Sequence, residues 1–368
     1  MRLLNSTLSA TIVAGLLAGC SGNSATPGAV VPSVGAQSTE TGLRGLSNRS
    51  IFGPISPDTN QNLYVANNLN NTVSVYAEGS TTPLRTIGDC ISSPESLAFD
   101  SSQYLYVANK TANDVTVYLP ESTTCDASLT LTRKIKSPVA VAVGPAGKPN
   151  VANSGNNSVT VYEPHSTTMY QQIVDGVQNP QALAFDSSGY LYVANGAVGS
   201  GKGSVSVYSK AEPKTLLRII TLHIDNPRAL AVDSSGNLYV ANFGTGVFKG
   251  SVTAYKSAAS GNTYSYTNSG SDITAPDALG LNNNKLFVAD TGAPNEIGQR
   301  KLQPPPNSLT PISTDVSDPD SLVFHSNGNI VVANYGSPGN VQTFTPGGSP
   351  FKTITTDIDG PVSLGLGP

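Results

Sequence analysis

An all-β, seven-bladed propeller is the fold this chain predicts, on three observations. A Leu-Tyr-Val-Ala-Asn-like run returns seven times at intervals of 42 to 48 residues, a Pro-x-x-Leu run returns in step with it, and each end of the chain carries part of one unit. A period of that size is one four-stranded blade, so seven periods make a ring of seven.

The first run is most complete at Leu63 to Asn67, and its closing residue recurs as Asn109, Asn153, Asn195, Asn242 and Asn334, with Asp290 in the sixth copy. The second begins at Pro94, Pro138, Pro180, Pro227, Pro276, Pro319 and Pro361. A third, of the form Val-Ser/Thr-Val-Tyr, follows the Asn, as at Val73 to Tyr76 and Val205 to Tyr208, and a looser fourth is visible at Leu84 to Ile87 and Phe351 to Ile354. All are short and rich in β-branched and aromatic residues, and Gly, Asn, Asp and Ser turns separate them. Each repeat therefore supplies four antiparallel strands.

Ring closure follows from the ends. Pro361 to Leu366 is a first-type strand with no Val-Ala-Asn run after it, whereas Leu63 to Asn67 has no good first strand before it. Pairing the two completes the first blade and leaves no sheet edge open. The rival, Pro54 to Asp58, carries Pro57 mid-strand, where it cannot donate to a ladder.

Within the strands small and large residues alternate, Ala182 and Ala184 against Leu183 and Phe185, so a bulky side chain on one blade fills the space over a small one on the next. There is no Trp; 15 Tyr and 9 Phe supply the bulk, and each recurring Tyr hydroxyl needs a partner. The repeated Asn reads as structural, a short amide bonding local backbone at a strand end.

The domain plan is a signal segment at 1–19, a tether at 20–50 and the propeller at 51–368. Arg2 precedes an apolar stretch, Leu8 to Gly19, too short to cross a bilayer. It ends in Leu17-Ala18-Gly19-Cys20, which resembles the lipobox of bacterial lipoproteins; the resemblance implies that Cys20 carries the lipid, and Ser21 favours the outer membrane or cell surface. The tether, Ser-, Gly-, Ala- and Thr-rich, is a flexible coil spanning about 30 Å root-mean-square. Membrane contact is then through the lipid alone.

Only 12% of residues are charged and the net charge is -4, with no cluster of Lys and Arg, which excludes a nucleic-acid footprint. A monomer is expected. Cys90 and Cys125 are left in a disulfide-permitting compartment, but they fall at opposite ends of the second blade, which opposes a bond unless the longer loop bends back.

The Leu-Tyr-Val-Ala-Asn core followed by Ser-Val-x-Val-Tyr resembles the YVTN-type and NHL-type propeller repeats of bacterial surface and periplasmic proteins. That resemblance implies a binding or scaffolding module for a protein or glycan partner, with no cofactor. The sixth copy departs most, since Ile297 to Leu302 is a poor third strand.

Antiparallel order places the second-to-third strand loops and the blade-to-blade connections on one face, the upper one. Its loops lengthen in blades four to six, carrying Lys202, Lys249 and Glu296, and the residues after the repeat prolines ring the channel mouth: Glu95, Val139, Gln181, Arg228, Asp277, Asp320 and Val362. Equivalent positions that differ in charge are candidates for recognition, so the expected ligand-binding set is Glu95, Gln181, Arg228, Asp277, Asp320, Lys202 and Lys249. No catalytic residue is expected in this reading.

The alternative is an enzyme. Pro276-Asp277 and Pro319-Asp320 resemble the Pro-Asp-Gly segment of gluconolactonase-like propellers, which implies Glu95, Asp277 and Asp320 as ligands for Ca²⁺ or another divalent cation polarising a lactone or ester carbonyl. Ala278 and Ser321 stand where that family has Gly. His165, His223 and His325 are expected at the surface, apart from one another. No paired His of the kind found in streptogramin-inactivating propeller lyases is present.

Overall fold

The computed structural model describes residues 61–245, 250–256, 259, 261, 263–269, 273–292, 294–302 and 309–368. The expected signal segment and tether, Cys20, the rival strand proposed at Pro54 and the loop residue Lys249 lie outside the described residues. Those described contain strands and turns and no helix.

Seven antiparallel sheets form the ring. Their inner strands are Pro361–Gly367, Pro94–Phe99, Pro138–Val143, Pro180–Phe185, Pro227–Val232, Pro276–Asn282 and Pro319–Phe324, each packing against the next and the last against the first. The first blade is completed as expected: Asn62–Asn67 lies between Pro361–Gly367 and Thr72–Tyr76, with Tyr64 opposite Gly365 and Val65 opposite Leu364. The Tyr64 hydroxyl donates to the Pro368 carbonyl at 2.8 Å.

Complementary volumes hold neighbouring blades together. A Cβ on Gly367 would stand 2.5 Å from Phe99 Cζ, one on Gly280 would stand 2.6 Å from Phe324 Cε2, and one on Gly144 would stand 3.1 Å from Phe185 Cζ. In all three cases a Phe ending one inner strand covers a missing side chain on the preceding blade. Such a fit is tight enough that one added methyl displaces the ring.

Two blades differ from expectation in detail. In the second, Asp114–Tyr118 is followed by a long loop, and the outer position is held by a single bridge, Val115 to Leu131. The loop does bend back: the Asp126 N–H donates to the Val117 carbonyl at 3.1 Å, and this brings Cys125 onto the connection that carries Cys90, where the two are disulfide-bonded. In the sixth, Glu296–Lys301 is a regular third strand despite its unpromising residues, paired along its length with Lys285–Asp290. Gly298 makes room there for Leu309, whose side chain would touch any Cβ at that position.

The repeated Asn is structural, but its reach is longer than local. Asn109, Asn153, Asn195, Asn242 and Asn334 each accept a backbone N–H from the blade-to-blade connection 17 residues upstream. The Nδ2 of the first four donates to a hydroxyl on the third strand, Thr116, Thr160, Ser206 or Thr253. Asp290 serves the sixth blade by accepting from Thr274, Ala275 and Gly292. One side chain thus ties connection, second strand and third strand together. Buried backbone groups in the connections are satisfied without a regular strand.

Candidate functional site at the channel mouth

Every inner strand enters from the upper face through the same local device. The residue before the proline has a left-handed backbone in six of the seven blades, Ser93, Ser137, Asn179, Asn226, Asp318 and Gly360, which are residue types that tolerate it. Its carbonyl accepts the N–H of the residue after the repeat Asn, as in Lys110 to Ser93 at 3.0 Å and Tyr335 to Asp318 at 2.9 Å. The proline then pairs with that Asn or Asp, and the register slips by one, so the next residue is a β-bulge.

The seven bulged residues are Glu95, Val139, Gln181, Arg228, Asp277, Asp320 and Val362, the ring expected from sequence. A bulge takes its residue out of the ladder and re-aims the side chain, which frees it from pairing duties. Charge is distributed unevenly among them. The chemistry concentrates on consecutive blades four to seven, where Gln181, Arg228, Asp277 and Asp320 follow one another.

Their environments differ. Glu95 is buried and paired with Lys110 Nζ at 3.1 Å, with Asn68 Nδ2 at 3.4 Å on the same oxygen. Gln181 folds back on Asn179, donating to its carbonyl at 3.1 Å and its side-chain oxygen at 3.0 Å. The Arg228 guanidinium lies over the Phe243 ring, 4.7 Å from its centroid, and its Nε has no hydrogen-bond partner. Asp277 is 9% exposed and its Oδ1 is likewise without a partner, while Asp320 is buried. At the rim Lys202 is 69% exposed and stands 3.5 Å from Asp225 Oδ2.

Glu95, Asp277 and Asp320 are not gathered around one point. The grouping of three acidic, His or Cys side chains within 4.8 Å found among the described residues is Asp89, Cys90 and Cys125, and its two sulfurs are in the disulfide. Glu95 is engaged by Lys110, whereas Asp277 Oδ1 has no hydrogen-bond partner.

The histidines stay apart, yet only in part at the surface. His325, expected there, is 4% exposed, and burial lowers its pKa to about 4, with Lys352 adding to the effect. It stands where blades two, four and five carry the turn Asp. The half-exposed His165 ring is held by the buried Asp100 carboxylate at 2.7 Å and stacks on Tyr104.

A feature of the lower face escaped the reading of the sequence. In blades two, four and five the first-to-second strand turn carries an Asp that accepts from a Tyr on the second strand: Tyr106 to Asp100, Tyr192 to Asp186 and Tyr239 to Asp233, at 3.1 to 3.2 Å. In blade three both are replaced, by Gly144 and Asn150. That coupled exchange was visible in the aligned repeats and marks a cavity.

No protein-family model and no curated protein matches this chain. Solved structures do match in fold. A "putative 6-phosphogluconolactonase" from Bacteroides fragilis is 17% identical, with a TM-score of 0.66 over 85% of this chain and 99% of its own. A second protein of that description, from Bacteroides uniformis, is 13% identical with a TM-score of 0.66 over 84% of this chain and 100% of its own. The hydrazine synthase of Kuenenia stuttgartiensis is 15% identical with a TM-score of 0.65, over 91% and 100%. At these identities the likeness is one of fold: the chain is a seven-bladed β-propeller.

Proposed function

We propose that this protein is a non-catalytic binding module that recognises a protein or glycan partner through the arc Gln181, Arg228, Asp277 and Asp320, with Lys202 at the rim and Lys249 added on the sequence expectation alone. The observation that carries the reading is the open hydrogen-bonding capacity of Asp277 Oδ1 and Arg228 Nε at the mouth of a rigid ring. A buried carboxylate oxygen without a donor is costly unless a ligand supplies one. Glu95 contributes less directly, since Lys110 already neutralises it. In this reading Cys20 is lipidated and residues 20–50 hold the monomeric propeller away from an outer membrane or cell surface.

The test is a double substitution, Asp277→Ala with Asp320→Ala, compared with the parent protein in a pull-down from envelope extracts. Loss of the captured partner with little change in thermal midpoint supports the arc; equal capture removes it. Cys20→Ala tests the anchor, and the expected result is transfer of the protein from the membrane to the soluble fraction.

A second reading is a lactonase. It draws on the two neighbours described as putative 6-phosphogluconolactonases and on Asp277 and Asp320 sitting at equivalent positions of adjacent blades. Those two carboxylates would hold a divalent cation, which supplies polarisation of a carbonyl. Metal analysis of protein purified without chelators, together with lactone hydrolysis in added Ca²⁺, separates this reading from the first.

A further inference from the structure

Between the third and fourth blades, on the face opposite the channel mouth, lies a cavity of about 120 Å³ whose walls include Gly144, Asn150, Phe185, Lys210, Glu212 and Lys214. It exists because blade three lacks the Tyr and Asp that fill this place in blades two, four and five. Phe185 covers part of the gap over Gly144, and the remainder is left open.

Asn150 is 1% exposed. Its Nδ2 donates to the Lys148 carbonyl at 2.9 Å, which fixes the orientation of the amide, because the flipped form would set two acceptors against each other. Its Oδ1 has no hydrogen-bond partner. A ligand atom placed there must bring a hydrogen.

Charge narrows the choice. The Lys214 ammonium, 3% exposed at its side chain, donates to the carbonyls of Gly189 and Ser209 at 3.2 Å and pairs with Glu212 at 3.3 Å. Lys148 is held by Glu163 at 2.6 Å. Both cations are therefore matched, and Lys210, 6.0 Å from the centroid of the Tyr190 ring, is the remaining one on the wall. At neutral pH a carboxylate or the dianion of a phosphomonoester carries no hydrogen on its charged group for Asn150, and an ammonium would face three lysines. A neutral hydroxyl meets both conditions, and Phe185 offers an apolar surface for the C–H face of a ring beside it.

We infer that this cavity binds a small neutral polyhydroxylated ligand, with one hydroxyl donating to Asn150 Oδ1 and its carbon skeleton against Phe185. Its volume is of the order of the benzene-holding cavities engineered in protein cores, so it takes the edge of a sugar ring and leaves the rest in solvent. A free monosaccharide and the terminal sugar of a glycan share this chemistry. The inference does not rest on the reading proposed for the mouth.

The experiment is calorimetric titration of the full chain with glucose, galactose, mannose and glycerol, with their methyl glycosides where they exist, and with glucose 6-phosphate, inorganic phosphate and acetate as anionic controls. At least one neutral compound should bind, at least tenfold more weakly to Asn150→Leu, and not at all to the double variant Gly144→Asp with Asn150→Tyr, which restores the pair of the other blades. Asp277→Ala should leave this binding unchanged. Equal affinity for a methyl glycoside assigns the site to a glycan terminus; loss on methylation assigns it to the free sugar. Binding by none of the neutral compounds, binding insensitive to Asn150→Leu, or Asn150-dependent binding of the anions alone would each overturn the inference. Should the double variant not fold, Asn150→Leu carries the test by itself.

Discussion

The side-chain oxygen of Asn67 accepts the backbone N–H of Asp359 at 3.3 Å, joining residues 292 apart in sequence. Its Nδ2 donates to the Asp357 carbonyl at 3.1 Å and to Ser74 Oγ at 3.0 Å. In five other blades the equivalent Asn does this for a connection 17 residues away. The ring is thus closed by the same clamp that links its ordinary neighbours.

Removal of residues 361–368 takes away the inner strand of the first blade and exposes both of its packed faces. The expected outcome is loss of a cooperative urea transition; an unchanged midpoint would refute closure. Asn67→Ala leaves the N–H of Asp359 unpaired and should cost about 1–3 kcal/mol. Asn195→Ala, which breaks a local clamp, should cost a similar amount.

The Phe and Gly pairs should be intolerant of one methyl group. Gly367→Ala and Gly280→Ala are each expected to destabilise by about 1–3 kcal/mol, since Phe99 and Phe324 leave no room for a Cβ. Adding Phe99→Leu to Gly367→Ala should recover part of the loss, and a double-mutant cycle in denaturant measures that coupling. Strict additivity would separate the two sites.

The Cys90–Cys125 bond closes a loop of 35 residues where the second blade has only a bridge for its outer strand. In the chain-entropy model such a loop stabilises by about 3–4 kcal/mol. Cys90→Ser with Cys125→Ser should lower the unfolding free energy by that order, and hydrogen exchange should rise first in residues 119–131. Unchanged protection there would show that the loop is held by other contacts.

Buried His325 makes stability depend on pH. Its folded pKa, about 4, lies below the ordinary value of 6.5, so the unfolded chain takes up the proton first as pH falls. The stability it confers is complete above the unfolded pKa and is lost between about pH 6.5 and 4, an effect on the order of 3 kcal/mol. His325→Asn should flatten the pH dependence of the urea midpoint in that window. An unaltered slope would assign it to other groups.

The ring of seven, its closure by Pro361–Gly367 and the seven mouth residues were all legible in the chain, because repeats place equivalent residues in equivalent positions whatever the details of packing. Glu95 and Asp277 could be located in this way, but not told apart: only folding sets Lys110 beside Glu95 and leaves Asp277 Oδ1 without a donor. The disulfide depended on a loop whose course no periodicity describes, and the burial of His325 on packing that its place in the repeat does not reveal. Periodic sequence determines which strand each residue occupies, since backbone pairing needs only register. Contacts between blades and across turns join residues that no period relates, so partners, burial and the blade-three cavity emerged only when the ring was assembled.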